Sequence, residues 1–336
     1  MTRVPPRLIS AVRLLGPAGT AGPPDGDIAA SMRGIAGLLA HRLATDPSRP
    51  LVTFYDDATG ERVEFSATTL DNWIAKTANM LVDTLGLGAG DRIGVDLPTH
   101  WLGLVIPLAG WLAGLEVVLT DTGGTSENGG TSENGGTSEN GGISALAVTA
   151  GATLPPTTHL SALFVAEDRL DATADLVVDE TVALSLRPLG GRMLRPVPGV
   201  LDYSAEVPPH GDRFAPPPPA PEQVELLRAG SRIAAAWALG PADRVLSTAP
   251  PTTAEGLLGG LLAPLVAGAS IVLCRRVDPA ALTRRIEAER ITAVVAAPVA
   301  AGTPGAPGAE IAAVGAAEPL VLAGSGVRTL HLPRLG

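Results

Sequence analysis

The side chains with the best claim to chemistry sit in two short loops. Pro250-Pro251-Thr252-Thr253-Ala254-Glu255-Gly256 follows a β-rich apolar run and precedes a Gly-rich apolar one. Open α/β sheets bind ligands where strands end and helices begin, so Thr252, Thr253, Glu255 and Gly256 are the candidate ligand-binding residues. The same residues also fit a helix start, with threonine hydroxyls satisfying free amides and Glu255 favouring the positive end of the helix dipole; capping is the more economical reading. Asp96 and His100 occupy the equivalent place in an earlier stretch, where turn and cap roles again lead. Gly324-Ser325-Gly326 invites a nucleophile or phosphate reading. It lacks a Gly-x-Ser-x-Gly or Gly-x-Gly-x-x-Gly context, so a turn is the better description. No residue is assigned a catalytic or metal-ligating role. The five His are scattered without paired spacing, and Cys274 is the sole cysteine. Glu167, Asp168, Asp171 and Asp179 read as a solvated face, because a working carboxylate pair needs convergence in a pocket.

Composition narrows the partners. A net charge of −10 and a pI near 5.0 argue against nucleic acid. Of the 24 Lys and Arg residues, Lys76 alone is lysine, which matters for any chemistry that needs a lysine. Hydrophobic residues make up 46% and aromatics 3%, so the core must be built from small aliphatic contacts. Trp73, Trp101, Trp111 and Trp237 are expected in it. The uncharged run from Gly256 to Leu273 is long enough to be a membrane candidate, but its glycines and Pro264 split it into a buried helix and a strand. No export or membrane signal stands out, so the expected location is the cytoplasm.

The elements that would position the two loops come in duplicate. Leu87 to Asp121 and Leu239 to Pro298 both open with a Leu-Gly turn and an Asp-Arg pair after an amphipathic helix. Each then passes a proline, an apolar segment, a glycine and a β-branched strand. Such internal repetition predicts one fold of two related α/β lobes with parallel-rich sheets. Residues 31–187 form the expected first lobe, including a hairpin over Leu51 to Phe65 and a helix over Leu70 to Leu85. Residues 188–221 form a Pro-rich connector and 222–300 the second lobe. Asp278-Pro279 marks a helix start. Strands are expected at Ile93 to Leu97, Leu115 to Thr120, Leu163 to Val165, Leu176 to Val178 and Val327 to Leu332. Residues 1–30 read as a loose tail and 301–336 as a Gly/Pro/Ala-rich end. Residues 123–142 hold GGTSEN three times, a flexible spacer without apolar residues whose repeated glutamates match no calcium pattern.

The stretch LSTAPPTTAEGLLGGLLAPLVAGASIVLCRRVDPAALTRRIEAERITAVVAAP resembles the second lobe of the large N-terminal domain of adenylate-forming enzymes. LVTFYDDATGERVEFSATTLDNWIAKTANMLVDTLGLGAGDRIGVDLPTHWLGLVIPLAGWLAGLEVVLTD resembles the first lobe. The likeness covers residues 31–121 and 222–300, and within that class it is nearest to an uncharacterised bacterial family of shortened relatives. It implies an ATP- and Mg-dependent fold that makes acyl-AMP. It also implies a Ser/Thr/Gly-rich phosphate loop ending Pro-Lys-Gly before the helix that matches Glu222 to Leu239. This chain has RFAPPPPAPEQ there, and four consecutive prolines remove four N–H donors. The family's adenine-holding aromatic-Gly-x-Thr-Glu segment has no match after Pro298. A lid domain with its lysine would follow, and Lys76 is expected on the exposed side of a first-lobe helix. Thr253 stands where the family often has a histidine. The expectation is therefore a catalytically degenerate binding or interaction module without a cofactor. Two alternatives remain: a ligase subunit that borrows a lid from a partner, and a scaffold for small acyl ligands.

Overall fold

The computed structural model describes residues 7–15, 34–121, 153–155, 157–295 and 326–332. The GGTSEN stretch and Ser325 lie outside the described residues.

Two parallel-rich sheets form the frame, as the duplicated pattern predicts. The first contains β1 (Arg7–Ser10), β4 (Arg92–Asp96), β5 (Glu116–Asp121), β6 (Thr153–Leu154), β7 (Leu160–Ala166), β8 (Val178–Leu184) and β9 (Val200–Asp202), in the order β6-β1-β5-β4-β7-β8-β9. The second contains β2 (Pro50–Asp56), β3 (Glu61–Ser66), β10 (Arg244–Ser247), β11 (Ser270–Arg275), β12 (Ala293–Val295) and β13 (Arg328–Leu330), in the order β13-β12-β10-β11-β2-β3. The pairs β1/β5, β1/β6 and β2/β3 are antiparallel; the rest are parallel. Parallel strands covered by helices read as continuous apolar runs, and β7 (LSALFVA) and β11 (SIVLCR) are buried along their whole length.

The repeat is visible atom by atom. Asp91 Oδ2 accepts from the Gly88 amide at 2.8 Å, and Asp243 Oδ2 accepts from Gly240 at 2.9 Å. Each aspartate's other oxygen accepts from a hydroxyl at the neighbouring strand's start, Ser161 at 2.9 Å and Thr292 at 2.7 Å. Those hydroxyls in turn accept from the Arg92 and Arg244 amides. The following arginines pair with Glu116 and Glu289. The Asp-Arg dipeptide is thus a strand-entry clamp used twice.

Helices α1 (Gly34–Thr45), α2 (Ala67–Asn79), α3 (Leu102–Leu112) and α5 (Pro221–Ala236) fill the space between the sheets, with a short α4 at Tyr203–Glu206. Every residue of α3 is buried. Trp101, Trp111 and Trp237 lie in the core and Trp73 packs half-buried against it. A wide π-helix, Glu255–Leu262, runs into α6 (Ala263–Val266). A Cβ on Gly230 of α5 would meet the Leu262 backbone at 3.1 Å, so glycine there permits close crossing. Helix α7 (Pro279–Ala288) starts as expected, with the Asp278 side chain accepting from Ala280.

Several expectations need correction. The tail is not loose at residues 7–15: Leu8 and Ile9 are buried in β1 against β5. Arginine-rich flanks hid a short strand whose partner is more than 100 positions away. The hairpin β2–β3 belongs to the second sheet, where Val52 to Asp56 pair with Ile271 to Arg275. Ion pairs Arg276–Asp56 and Arg285–Asp57 fix it there. The strand placed at Leu176 to Val178 instead runs from Val178 to Leu184. The connector also carries β9 and α4, so part of it completes the first sheet.

Candidate functional site

The two switch-point loops meet. The loop after β4 (Leu97 to Trp101) faces the loop after β10 (Thr248 to Ala254) across a seam between the lobes. The Thr99 hydroxyl donates to the Thr248 carbonyl at 3.5 Å, and a Cβ on Gly103 would stand 2.7 Å from the Pro251 ring. The carboxyl ends of both sheets therefore share one polar seam, lined by buried Asp96, Thr99, His100, Ser247 and Thr248.

Asp96 and His100, singled out in the sequence, are both buried here. Asp96 Oδ1 accepts from Arg169 at 3.0 Å, a partner that lies 73 positions away and that no local signal identifies. His100 is 2% exposed, with its ring 4.7 Å from Phe54 in an edge-on contact. Burial, helped by the positive field of Arg275, pushes its pKa down to about 3, so the imidazole is neutral. Nδ1 accepts from the Leu102 amide at 3.1 Å, which leaves the proton on Nε2. That Nε2 has no hydrogen-bond partner among the described residues.

The second loop is closed on itself. The Thr253 hydroxyl donates to the Pro250 carbonyl at 2.8 Å and accepts from the Gly256 amide at 3.1 Å. A Cβ on Gly256 would land on the Pro250 carbonyl oxygen and lie 3.0 Å from Ala249 O. Thr253 and Gly256 are thus committed to shaping the loop. Thr252 is half-buried, and Glu255 opens the π-helix beside it. Ser247 closes the base of the loop: its Oγ accepts from Ala249, and a Cβ on Gly260 would sit 2.7 Å from it.

The prolyl tract before α5 lies elsewhere. Pro217 packs 3.3 Å from where a Gly114 Cβ would be, and Pro219 lies 2.7 Å from a Gly34 Cβ position. Gly114 leads into β5, so the tract contacts the end of the first sheet opposite the seam. Lys76 is not freely exposed: its Nζ donates to the Pro208 carbonyl at 3.1 Å and to that of His210, and pairs with Asp212 at 2.7 Å. Helix geometry placed this residue on the outer face, and the connector then folded over it. Cys274 is buried, and its thiol is pushed up to about 12 by desolvation, which makes it a poor nucleophile. Among the described residues no group of three or more His, Cys, Asp or Glu is placed to hold a metal ion, and no helix is long and apolar enough to cross a membrane.

No family model matches the chain. Over 270 residues it is 38% identical to a TIGR03089 family protein of Mycobacterium tuberculosis, spanning 77% of this chain and 96% of that relative. The chain belongs to the TIGR03089 family. Its fold is that of the adenylate-forming enzymes' large domain. A Brucella canis acyl-CoA synthetase superposes with a TM-score of 0.55 at 17% identity, over 82% of this chain and 49% of that one. An acetoacetyl-CoA synthetase from Streptomyces lividans gives 0.54 at 18%, over 78% and 42%. An anthranilate CoA ligase in complex with anthranoyl-AMP gives 0.52 at 14%, over 78% and 49%. The chain spans about half the length of these solved structures. At such identities they speak for the fold alone, and the similarity agrees with the two-lobe resemblance read from the sequence.

Proposed function

We propose that this TIGR03089 family member is a catalytically degenerate adenylate-forming domain that works as a binding or interaction module. One observation carries the reading. The segment before α5, where the fold's relatives would present phosphate-gripping amides, is Pro216–Pro219, and it is packed against Gly34 and Gly114. Prolines offer no N–H, so a triphosphate finds no cradle there. Lys76 is held by two carbonyls and Asp212 and stands beside neither loop of the seam. Among the described residues, the prolyl tract and the engaged Lys76 do not fit the phosphates of ATP with Mg²⁺. The ligand face of such a module is the seam, where a small acyl or polar ligand, or a protein partner, would meet Thr252 and Glu255 beside the loop ordered by Thr253 and Gly256.

The direct test is carboxylate-dependent exchange of pyrophosphate into ATP, run over a broad panel of acids. The expected result is exchange at the no-enzyme background. Exchange above background with any acid overturns the reading in favour of a competent ligase. The borrowed-lid alternative requires exchange only when a second protein supplies a lid and its lysine.

A further inference from the structure

A cavity of about 240 Å³ opens at the end of the first sheet opposite the seam. Its floor is buried and apolar: Trp111, Val117 and Leu226 come from α3, β5 and α5, and Ala11 and Leu115 flank β1 and β5. The strand β1, hidden in the sequence, supplies one wall, and the first turn of α5 supplies the roof. The mouth lies between exposed Ala89 and Gly90 on one side and exposed Glu222 on the other. An engineered apolar cavity of roughly 150 Å³ accepts benzene, so this one has room for ~10 non-hydrogen atoms.

The polar groups in the lining decide what kind of molecule fits. Gln223 is held at both ends: its oxygen accepts from the Ile35 amide, and its nitrogen donates to the Trp111 carbonyl at 2.5 Å, which leaves one N–H of the amide uncommitted. Glu116 engages Arg92 through Oε2, at 2.8 Å from Nε and 2.6 Å from the terminal nitrogen. Glu222 has no ion-pair partner among the described residues. The charged groups that face a visitor are carboxylates at the rim, above an apolar, aromatic-walled floor in which the Ser10 hydroxyl and one Gln223 N–H are the neutral polar groups. The positive end of α5 also lies here, but Glu222 sits on its first turn and offsets it, and Pro221 contributes no N–H. An anion would meet two carboxylates, whereas an organic ammonium would meet Glu222 and could place its apolar body against Trp111.

We propose that this cavity is a binding site for a small primary amine with an apolar body, separate from the seam and independent of the function proposed for it. The probe is 2-phenylethylamine, titrated by ligand-observed NMR against the full chain, with 2-phenylethanol and phenylacetate as matched controls. At the efficiency of good small ligands, the amine binds with a Kd on the order of 1 mM. The alcohol, which loses the charge-assisted bond, binds roughly fivefold more weakly, and phenylacetate does not compete. Glu222→Gln, at an exposed position, brings the amine to the level of the alcohol. Ala89→Trp, also exposed, blocks the mouth and abolishes binding while the melting temperature stays that of the parent. Amine and alcohol binding alike, amine binding that survives Ala89→Trp, or no saturable binding at ~10 mM each overturn the proposal.

Discussion

Replacing Gly256 with alanine is expected to cost about 3 kcal/mol of folding stability, at the upper end for overpacking a filled site. The added methyl coincides with the Pro250 carbonyl oxygen and crowds Ala249 O, both of which are backbone and cannot swing aside. It also breaks the turn in which Thr253 links Pro250 O to the Gly256 amide. The loop must then open, and the π-helix that begins at Glu255 loses its anchor. Gly88→Ala is the matched control: nothing lies within 4 Å of a Cβ there, and its effect should stay within about 0.5 kcal/mol. Urea unfolding of the two variants beside the parent checks this. A Gly256→Ala midpoint equal to that of Gly88→Ala would show that the loop is not closed on itself as described.

The second large effect is on pH. His100 is neutral in the fold, with a pKa pushed down to about 3 against an ordinary value of 6.5, and burial is the main cause. As pH falls through 6.5, the unfolded chain takes up a proton at this residue and the folded chain does not. The stabilisation is complete above pH 6.5 and is lost progressively as pH falls towards 3. Between pH 7 and pH 5 the loss from this residue is about 2 kcal/mol, from roughly 1.4 kcal/mol per pKa unit. His100→Phe keeps the ring against Phe54 and removes the titration along with the unpartnered Nε2. Its stability should fall by about 2 kcal/mol less than the parent's over the same interval. Equal pH slopes in parent and variant would mean that the ring takes its proton without leaving the seam.

The parts of this fold that could be read from the chain are those that local physics repeats. The turns that Asp91 and Asp243 close on Gly88 and Gly240, the helix start at Asp278-Pro279 and the buried run through α3 are all written within a few residues of where they act. The parts that escaped are pairings across distance. β1 was concealed because four residues carry little periodicity and their partner is β5. β2 joined the second sheet because its register with β11 is set by residues more than 200 positions away. At the seam, Asp96 and His100 stood out by analogy with the later loop. The Arg169 contact required β7 to lie beside β4 within the first sheet, and the packing of His100 on Phe54 required the two sheets to be brought together. The cavity at Trp111 had no motif at all, since its lining is gathered from short stretches far apart in the chain, around Ser10, Gly90, Trp111 and Glu222. Of the threonine hydroxyls read as satisfying free amides, that of Thr253 accepts from the Gly256 amide, while the π-helix itself starts from Ala254 without a side-chain cap.

The proposed loss of nucleotide grip rests on the prolyl tract, and calorimetric titration of the intact chain with Mg-ATP reads it most directly, without needing turnover, an acyl substrate or a lid. The proposed function predicts no saturable heat up to millimolar nucleotide and no rise in melting temperature under the same conditions. A single-site isotherm with a matching rise in melting temperature, abolished by competing AMP, would contradict it.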